Sequence, residues 1–529
     1  MKPPKLIELK PADVEALLER VEKEALQEGD YEIIKGLIEA FVYLSQAVDD
    51  KATALKRLLR IIFGAKTETR AKLFKIAGKS EDVSAQDVLK EESEPKKQPG
   101  HGRNGADAYK KAERIKVPLE DLKAGEPCRE CQKGKLYPVK KAGTLVRFVG
   151  MAPLAAKIYE MEKLRCNLCG EVFTAKPPDN VGSEKYDETA GAIIATLKYG
   201  SGVPFYRIEK LQESMGVPLP TSTQWDITEN AANLIHPAYR ELIRQAAQGN
   251  VIHNDDTPMK ILELIKEVNE KSSRTGMFTT GMMSIVEDRK IALFFTGQKH
   301  AGENMTDLLK QRQAELDPPI QMCDALSRNT SKEFETILAN CLVHGRRNFV
   351  DVAANFPEET AHVIDEIALV YRNDETAKQQ NLTPQERLLF HQRESAPVMK
   401  NLKQWLSEQI EQKKTEPNSG LGKAIAYMLK HWDPLTLFLR VPGAPLDNNL
   451  CEQTLKKAIL HRKNSLFYKT EHGAFIGDMF MSLIHTCNLG DVNPFDYLVA
   501  LQKHSSAVFK TPGNWMPWNY QASIPVNDS

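Results

Sequence analysis

The chain has 529 residues, 27% charged and 41% hydrophobic, which is enough for several domains with at least one sizeable core. Lys+Arg and Asp+Glu both number 71, so the net charge excludes a globally basic protein and only local charge can point to a polyanion. No apolar run approaches the roughly 20 residues of a membrane span, and residues 1–10 carry no apolar signal core, so the chain is expected in the cytoplasm with no membrane partner.

Residues 11–29 read as a helix, with Val14, Leu17, Leu18, Val21 and Leu26 on one side and Gly29 as a stop. From Ile34 through Leu37, Phe41, Leu44, Val48, Leu55 and Leu58 to Ile62, apolar residues fall on alternating three- and four-residue steps, missing only at Lys51. This seam fits a coiled coil or a long helical hairpin, used for self-association or for packing on its own chain. A helical N-terminal region over 1–77 follows. Residues 78–108, rich in Ser, Glu, Lys, Gly and Pro, read as a flexible linker.

Residues 109–180 contain Cys128-x-x-Cys131 and Cys166-x-x-Cys169, with Gly134 and Gly170 just beyond them. Four thiolates in two such pairs suit tetrahedral Zn²⁺, and the intervening β-prone residues suit a zinc ribbon. A dithiol redox pair and unligated cysteines are the other readings. Residues 101–180 hold sixteen Lys/Arg against ten Asp/Glu, a local basic excess that fits nucleic acid or an acidic protein surface. Residues 181–247 read as helices broken at Tyr199–Pro204, with Thr221–Thr223 as a cap. They fit a helix-turn-helix or structural helices equally.

Over 248–354 strands appear: Asn250 to Pro258, Met277 to Val286 and Lys290 to Thr296. A helix at about 303–316, a short strand Ile320 to Cys323, a helix over 331–339 and a strand Asn340 to Val343 complete a mixed α/β sheet. Residues 355–440 read as a helical insert with loops at 373–384 and 412–420, before a further segment at 441–503 and a tail at 504–529. Within 441–503, Asp447-Asn448-Asn449 reads as a helix start, followed by Glu452 on a helix from Cys451 to Leu460. Lys456, Lys457, Arg462 and Lys463 follow, a run of cations suited to a polyanion or to an ordinary solvated face.

Asp255 and Asp324 each end an apolar, β-prone run, where an unpartnered carboxylate is costly. Gathered with Glu452, they would repel one another and be relieved by Mg²⁺ or Mn²⁺, which prefer oxygen donors. The alternative is that all three are caps or surface acids. Asp256 competes with Asp255, because neighbouring strand residues face opposite ways. His253, Asp256, His344 and Asn448 are candidates for groups that support the acids, and His253 also fits a satisfied core histidine.

The motifs together resemble the DDE transposases of the insertion sequence 66 family. They are Ile61-Ile62-Phe63-Gly64 with Lys66 and Glu68, the paired cysteines, Pro204-Phe205-Tyr206-Arg207, and His253-x-Asp255-Asp256-Thr257-Pro258. They continue with Asp324, His344-x-Arg346-Arg347-x-Phe349, Asp447-Asn448-Asn449-x-x-Glu452, Arg462-Lys463-Asn464-Ser465-Leu466-Phe467 and Asn493-Pro494-Phe495-Asp496-Tyr497-Leu498. They run in family order from about residue 55 to 500.

The resemblance implies an RNase H-like mixed-sheet catalytic domain with a helical insert. Asp255, Asp324 and Glu452 would bind two Mg²⁺ ions, and the cysteines a Zn²⁺. The implied activity is cleavage at the ends of an insertion sequence and transfer of the freed 3′-OH into target DNA. Arg346, Arg347, Lys456, Lys457, Arg462 and Lys463 would contact double-stranded DNA. The expected partners are terminal inverted repeats, target DNA, further copies of the chain and small accessory proteins of the same element, in a cytoplasmic, nucleoid-associated setting. Two departures stand out: Asp256 replaces the usual Glu, and Ala325-Leu326 the usual Gly-Tyr. A non-cleaving DNA-binding descendant and an RNase H-like nuclease are the alternative functions.

Overall fold

The computed structural model describes residues 184–268 and 274–525 without a break, and before them 152–165, 172–176 and a few single positions. The heptad seam, the linker and the cysteines Cys128, Cys131, Cys166 and Cys169 lie outside the described residues. The contacts below belong to one compact unit that excludes residues 80–155. Strands β1 (Lys163–Arg165) and β2 (Val172–Thr174) pair antiparallel, Lys163 opposite Thr174, and the second cysteine pair falls between them in sequence.

Helix α1 (Glu188–Ala195) starts at Asp187, whose carboxylate accepts the amides of Thr189 and Ala190. A π-helical turn (Thr196–Gly200) continues it, and Gly202, at φ 73°, breaks the chain before α2 (Phe205–Ser214). The expected cap at Thr221–Thr223 is corrected. Helix α3 (Thr221–Ala246) begins at Thr221 itself, with Pro220 at the cap position and its carbonyl accepting the Gln224 amide.

The sheet has five strands in the order β5-β4-β3-β6-β7. β3 (Val251–Pro258), β4 (Phe278–Val286) and β5 (Arg289–Gly297) form an antiparallel meander. β6 (Ile320–Cys323) runs parallel to β3, and β7 (Ile337–Asn340) parallel to β6. Helices cover both faces. This is why β4 and β5 read as nearly continuous apolar runs rather than as an alternation.

Three other expectations are corrected. Helix α5 (Ala301–Leu309) follows the short helix α4 (Leu262–Val268) and ends well before 316. Beyond α5, the Arg312 guanidinium binds the carbonyls of Ala247, Gly249 and Asp317 and draws the chain back to the start of β3. Residues 331–339 are not a helix. After a 3₁₀ turn (Ser327–Asn329), residues 337–340 take the strand β7, because β6 offers a complete parallel register from Ile320↔Ile337 to Cys323↔Asn340. Pairing overrides the local helical preference there. The expected strand at 340–343 is instead the end of β7 and the start of α6 (Leu342–Val352).

After α6 come α7 (Pro357–Gln379), α8 (Pro384–Glu394), α9 (Ala396–Glu411), α10 (Gly420–Lys430) and α11 (Trp432–Leu435). The loop expected at 373–384 shrinks to 380–383, because buried Asp374 is held within α7 by Lys378, Arg387 and His391. Helices α12 (Asn449–Ser465), α13 (Glu471–Leu489), α14 (Pro494–Lys503) and α15 (Ser505–Lys510) follow. One core joins α1, α3, α13 and α14 to the sheet, and a second fills the space between β6, β7 and helices α6, α7, α9 and α10. Trp515, Met516 and Tyr520 belong to the first core, so the C-terminal residues are part of the packed body. No helix among the described residues is long and apolar enough to cross a membrane.

Edge strand β5 is sealed by side chains of α13. Thr486 accepts the Ala292 amide, Ser482 the Phe294 amide and Asp478 the Thr296 amide. Four residues of helix rise about 6 Å and two of strand about 6.8 Å, so every fourth helix residue meets every second strand residue. An edge paired in this way cannot recruit another strand. Burial pushes the Asp478 carboxyl up to about 7, against the bonds from Thr296. A raised carboxyl pKa means that the fold holds a proton the unfolded chain releases. The contribution of this one group is therefore expected to be greatest below about pH 4, to fall as pH rises to about 7 and then to level off. Urea unfolding across pH 4–8 checks this, and Asp478→Asn should flatten that part of the profile.

Candidate active site

Three separate segments bring the acids together. The parallel register pairs Val251 with Ile320 and His253 with Met322, so Asp255 and Asp324, each two residues on, stand level just past the last parallel pair, Asp255 within β3 and Asp324 directly after β6. Glu452 comes from the first turn of α12. That helix starts two residues earlier than expected, and Asn448 precedes it without capping it. Its side chain is used elsewhere: Oδ1 meets Nδ1 of His253 at 3.0 Å and Nδ2 donates to the Asn254 carbonyl at 3.2 Å. The Asn448 amide donates to Sγ of Cys341. Asp447 supplies the cap, accepting the Asn449 amide at 3.0 Å.

The helix can lie this low because position 281 is glycine. Gly281 pairs with Asp255, its carbonyl accepts the Cys451 thiol at 3.2 Å, and a Cβ there would stand 2.8 Å from Cγ and Cδ2 of Leu455. Gly281→Ala is expected to cost about 1–3 kcal/mol by overpacking and to shift Glu452 away from the strands. Urea unfolding measures the cost, and adding Leu455→Ala should recover part of it.

Electrostatics couples the acids. Burial pushes the Asp255 carboxyl up to about 7, opposed by the Asp256 amide and reinforced by the charges of Asp324, Asp256 and Glu452. Asp324 accepts the Asn329 side-chain amide, and more weakly the Leu326 amide at 3.4 Å. Oε1 of Glu452 is buried without a hydrogen-bond partner and lies 3.9 Å from Nε2 of His344. Among the described residues, the one group of His, Cys, Asp and Glu donors whose ligand atoms fall within 4.8 Å of one another is Cys341, His344 and Glu452. Asp255 and Asp324 share the electrostatic environment of Glu452 without closing to that spacing.

The supporting residues divide by strand face. His253 is buried on the Asp255 face, and burial pushes its imidazole down to about 4, against the Asn448 bond and the Asp447 charge. Its Nε2 has no hydrogen-bond partner. Asp256 serves the opposite face, where it accepts Thr280 Oγ1 at 2.6 Å and the Ala301 amide at 2.9 Å and meets His300 Nδ1 at 3.2 Å. It fixes the start of α5 rather than joining the acids.

The cations are dispersed. Lys456 and Lys463 follow Glu452 by four and eleven residues along α12, on its side of the helix, and both are exposed. Lys457 is rotated away, close enough to His485 on α13 to help burial lower that imidazole. Arg462 is tied to the end of β3, donating from Nη1 to Thr257 Oγ1 at 3.0 Å and to the Pro258 carbonyl. Arg346 lines a cleft with Val343, Tyr371, Arg372 and Glu375, and Arg347 is half-buried on α6.

Two features escaped sequence reasoning. A buried amide network braces the strands: Asn254 and Gln321 both donate to the Asn329 carbonyl at 2.7 Å, and Asn329 in turn holds Asp324. The signal was an amide inside each of two apolar strands. Cys323, Cys341 and Cys451, scattered in sequence, are buried around the acids. Burial first, then neighbouring negative charge, raises all three thiols.

The sequence profile described as Transposase IS66 family matches residues 185–475. An uncharacterized protein of Sinorhizobium fredii, y4jD, is 25% identical over 501 residues, covering 90% of this chain and 96% of the relative. A second from the same organism, y4hP, is 26% identical over 365 residues, covering 64% of this chain and 63% of the relative.

Proposed function

Because the chain belongs to the IS66 family of transposases, we propose that its sheet is an RNase H-like catalytic core, which cleaves DNA at insertion-sequence ends and joins the 3′-OH to target DNA. The observation that carries this reading is the coupling of Asp255, Asp324 and Glu452, drawn from three distant segments, with the Asp255 carboxyl raised to about 7. A carboxyl raised by burial and by the charges of its neighbouring acids, with a buried Glu452 oxygen lacking a partner, belongs to an acceptor-only set suited to Mg²⁺ or Mn²⁺. Bound there, such ions supply Lewis acidity for phosphoryl transfer.

The chain's own groups do the positioning. Asn448 and Cys451 fix the first turn of α12 on β3 and β4, and so set where the Glu452 carboxylate stands. Asn329 orients Asp324, and neutral His253 packs beneath without adding charge. Lys456 and Lys463 would hold DNA phosphates beside the acids, with Arg346 and Arg347 extending the path. We assign residues 109–180 to a zinc-ribbon module with Zn²⁺ on the four cysteines, 1–77 to self-association, and 355–440 to an insert in the core. Accessory proteins of the element and further copies of the chain complete the proposed assembly.

The test is cleavage of labelled duplex carrying the DNA ends that flank the chain's own gene, with Mg²⁺ or with EDTA, in the wild type and Glu452→Gln. Metal-dependent nicking at the ends, lost in the variant while binding persists, supports the proposal. Binding with no cutting by the wild type favours the DNA-binding descendant, and cutting without end preference favours a nuclease.

A further inference from the structure

The turn after α12 projects an apolar tip that nothing described so far uses. Leu466 is 63% exposed and adopts φ 66° with ψ −43°, a backbone region that a branched side chain rarely enters. Phe467 beside it is also exposed. A bulky apolar residue is thus both strained and in water, two costs that persist only where the surroundings enforce them.

The surroundings do enforce them. On one side Lys198, buried on the π-helical turn, donates to Ser465 Oγ at 3.0 Å, and Arg207 donates to Asn464 Oδ1 at 3.3 Å. On the other side Tyr468 is buried, bridges to Ile261 and donates its amide to the Lys260 carbonyl. The tip is held rigidly between two anchors.

Charge selects the partner. Residues 453–470 contain five Lys/Arg and no Asp/Glu, so an apolar tip stands in a basic field that suits a polyanion better than a protein core. Position links it to the acids. Arg462, four residues before the tip, binds Thr257, which lies two strand residues, or about 7 Å, beyond Asp255. The tip itself lies fourteen residues of helix, or about 21 Å, beyond Glu452, on the order of six base-pair steps.

We propose that Leu466 and Phe467 form a wedge that enters one base step of the double-stranded DNA held over the acids, unstacking it about six base pairs from the cleaved phosphate. Apolar side chains inserted between base steps open and kink duplexes in this way, while flanking cations hold the phosphates. The inference rests on the proposed DNA-cleaving function and specifies how that site handles its duplex.

The experiment uses the full chain and duplexes carrying the DNA ends that flank its gene, with 2-aminopurine placed at successive positions. Binding is read in Ca²⁺ and cleavage in Mg²⁺. Fluorescence should rise at one or two adjacent positions with the wild type, and the rise should be lost in Leu466→Ala and Phe467→Ala. Both variants should cut paired duplex about tenfold more slowly, and a mismatch at the responsive position should restore the rate to within about twofold. A purely structural role would not be rescued by the mismatch.

Wild-type cutting with no responsive position, or variants that keep the response, would overturn the wedge and leave the proposed function standing. A response without cutting on any duplex would overturn the cleavage reading and support the wedge. Loss of an oligomer in Leu466→Ala by sedimentation, with no rescue, would make the turn a subunit contact instead. A wild type that does not bind these ends at all would overturn both readings.

Discussion

Asp324→Ala is expected to lower Mg²⁺-dependent cleavage of end DNA by at least about 10³-fold, with DNA affinity within about threefold of the wild type. Asp324 ends β6 half-exposed, and its bonds go to Asn329 and Leu326 beside it in sequence, so truncation leaves the strand pairing intact. What it removes is a carboxylate whose charge reaches Asp255. The loss should therefore fall on kcat rather than on substrate affinity, which single-turnover kinetics can separate. A loss confined to KM would place Asp324 in DNA binding.

The second large effect is on stability. Asp374→Ala is expected to cost about 3–5 kcal/mol, because it strands the buried His391 and the largely buried Arg387. Asp374 on α7 accepts the Arg387 guanidinium at 2.7 Å and the buried His391 at 3.2 Å, and pairs with Lys378 at 2.8 Å. Arg387 also donates to the Ala444 carbonyl at 3.0 Å, so the network ties α7 and α8 to the segment that leads into Glu452. Burial alone would raise this carboxyl, but the His391 bond, the Arg387 charge and the Lys378 bond hold it well below the usual carboxylate range. A depressed carboxyl stabilises the fold at every pH above its unfolded value of about 3.9, and the contribution disappears as pH falls below that value. Urea unfolding at pH 7 and pH 3 reads both parts. The gap between wild type and Asp374→Asn should be wide at pH 7 and narrower at pH 3.

Strand positions were legible because β4 and β5 carry dense β-branched and apolar residues that suit pairing on both faces. A carboxylate does close the short run of β6 at Asp324, but β3 continues past Asp255 to Pro258, because β4 pairs with it along its whole length. What stayed hidden depends on partners far away in sequence. Residues 331–339 look helical in isolation, and only the offer of β6 turns Ile337–Asn340 into a strand. Asn448 looks like a cap, yet its amide reaches His253 and Asn254 across the fold. Asp255 and Asp256 were separable in principle by strand alternation, but choosing between them required knowing which face α12 covers. The polar ladder of Asp478, Ser482 and Thr486 has helical spacing and reads as an ordinary surface stripe until β5 lies against it.

The claim on which the functional account depends is that Asp255, Asp324 and Glu452 hold one divalent-metal site. The most direct measurement is Fe²⁺ substituted for Mg²⁺ in the full chain, with peroxide-driven backbone scission mapped by mass spectrometry. The account predicts cuts clustered around residues 255, 324 and 452 that excess Mg²⁺ suppresses and that Asp255→Asn, Asp324→Asn and Glu452→Gln each abolish. Scission elsewhere, or an unchanged pattern in all three variants, would contradict it.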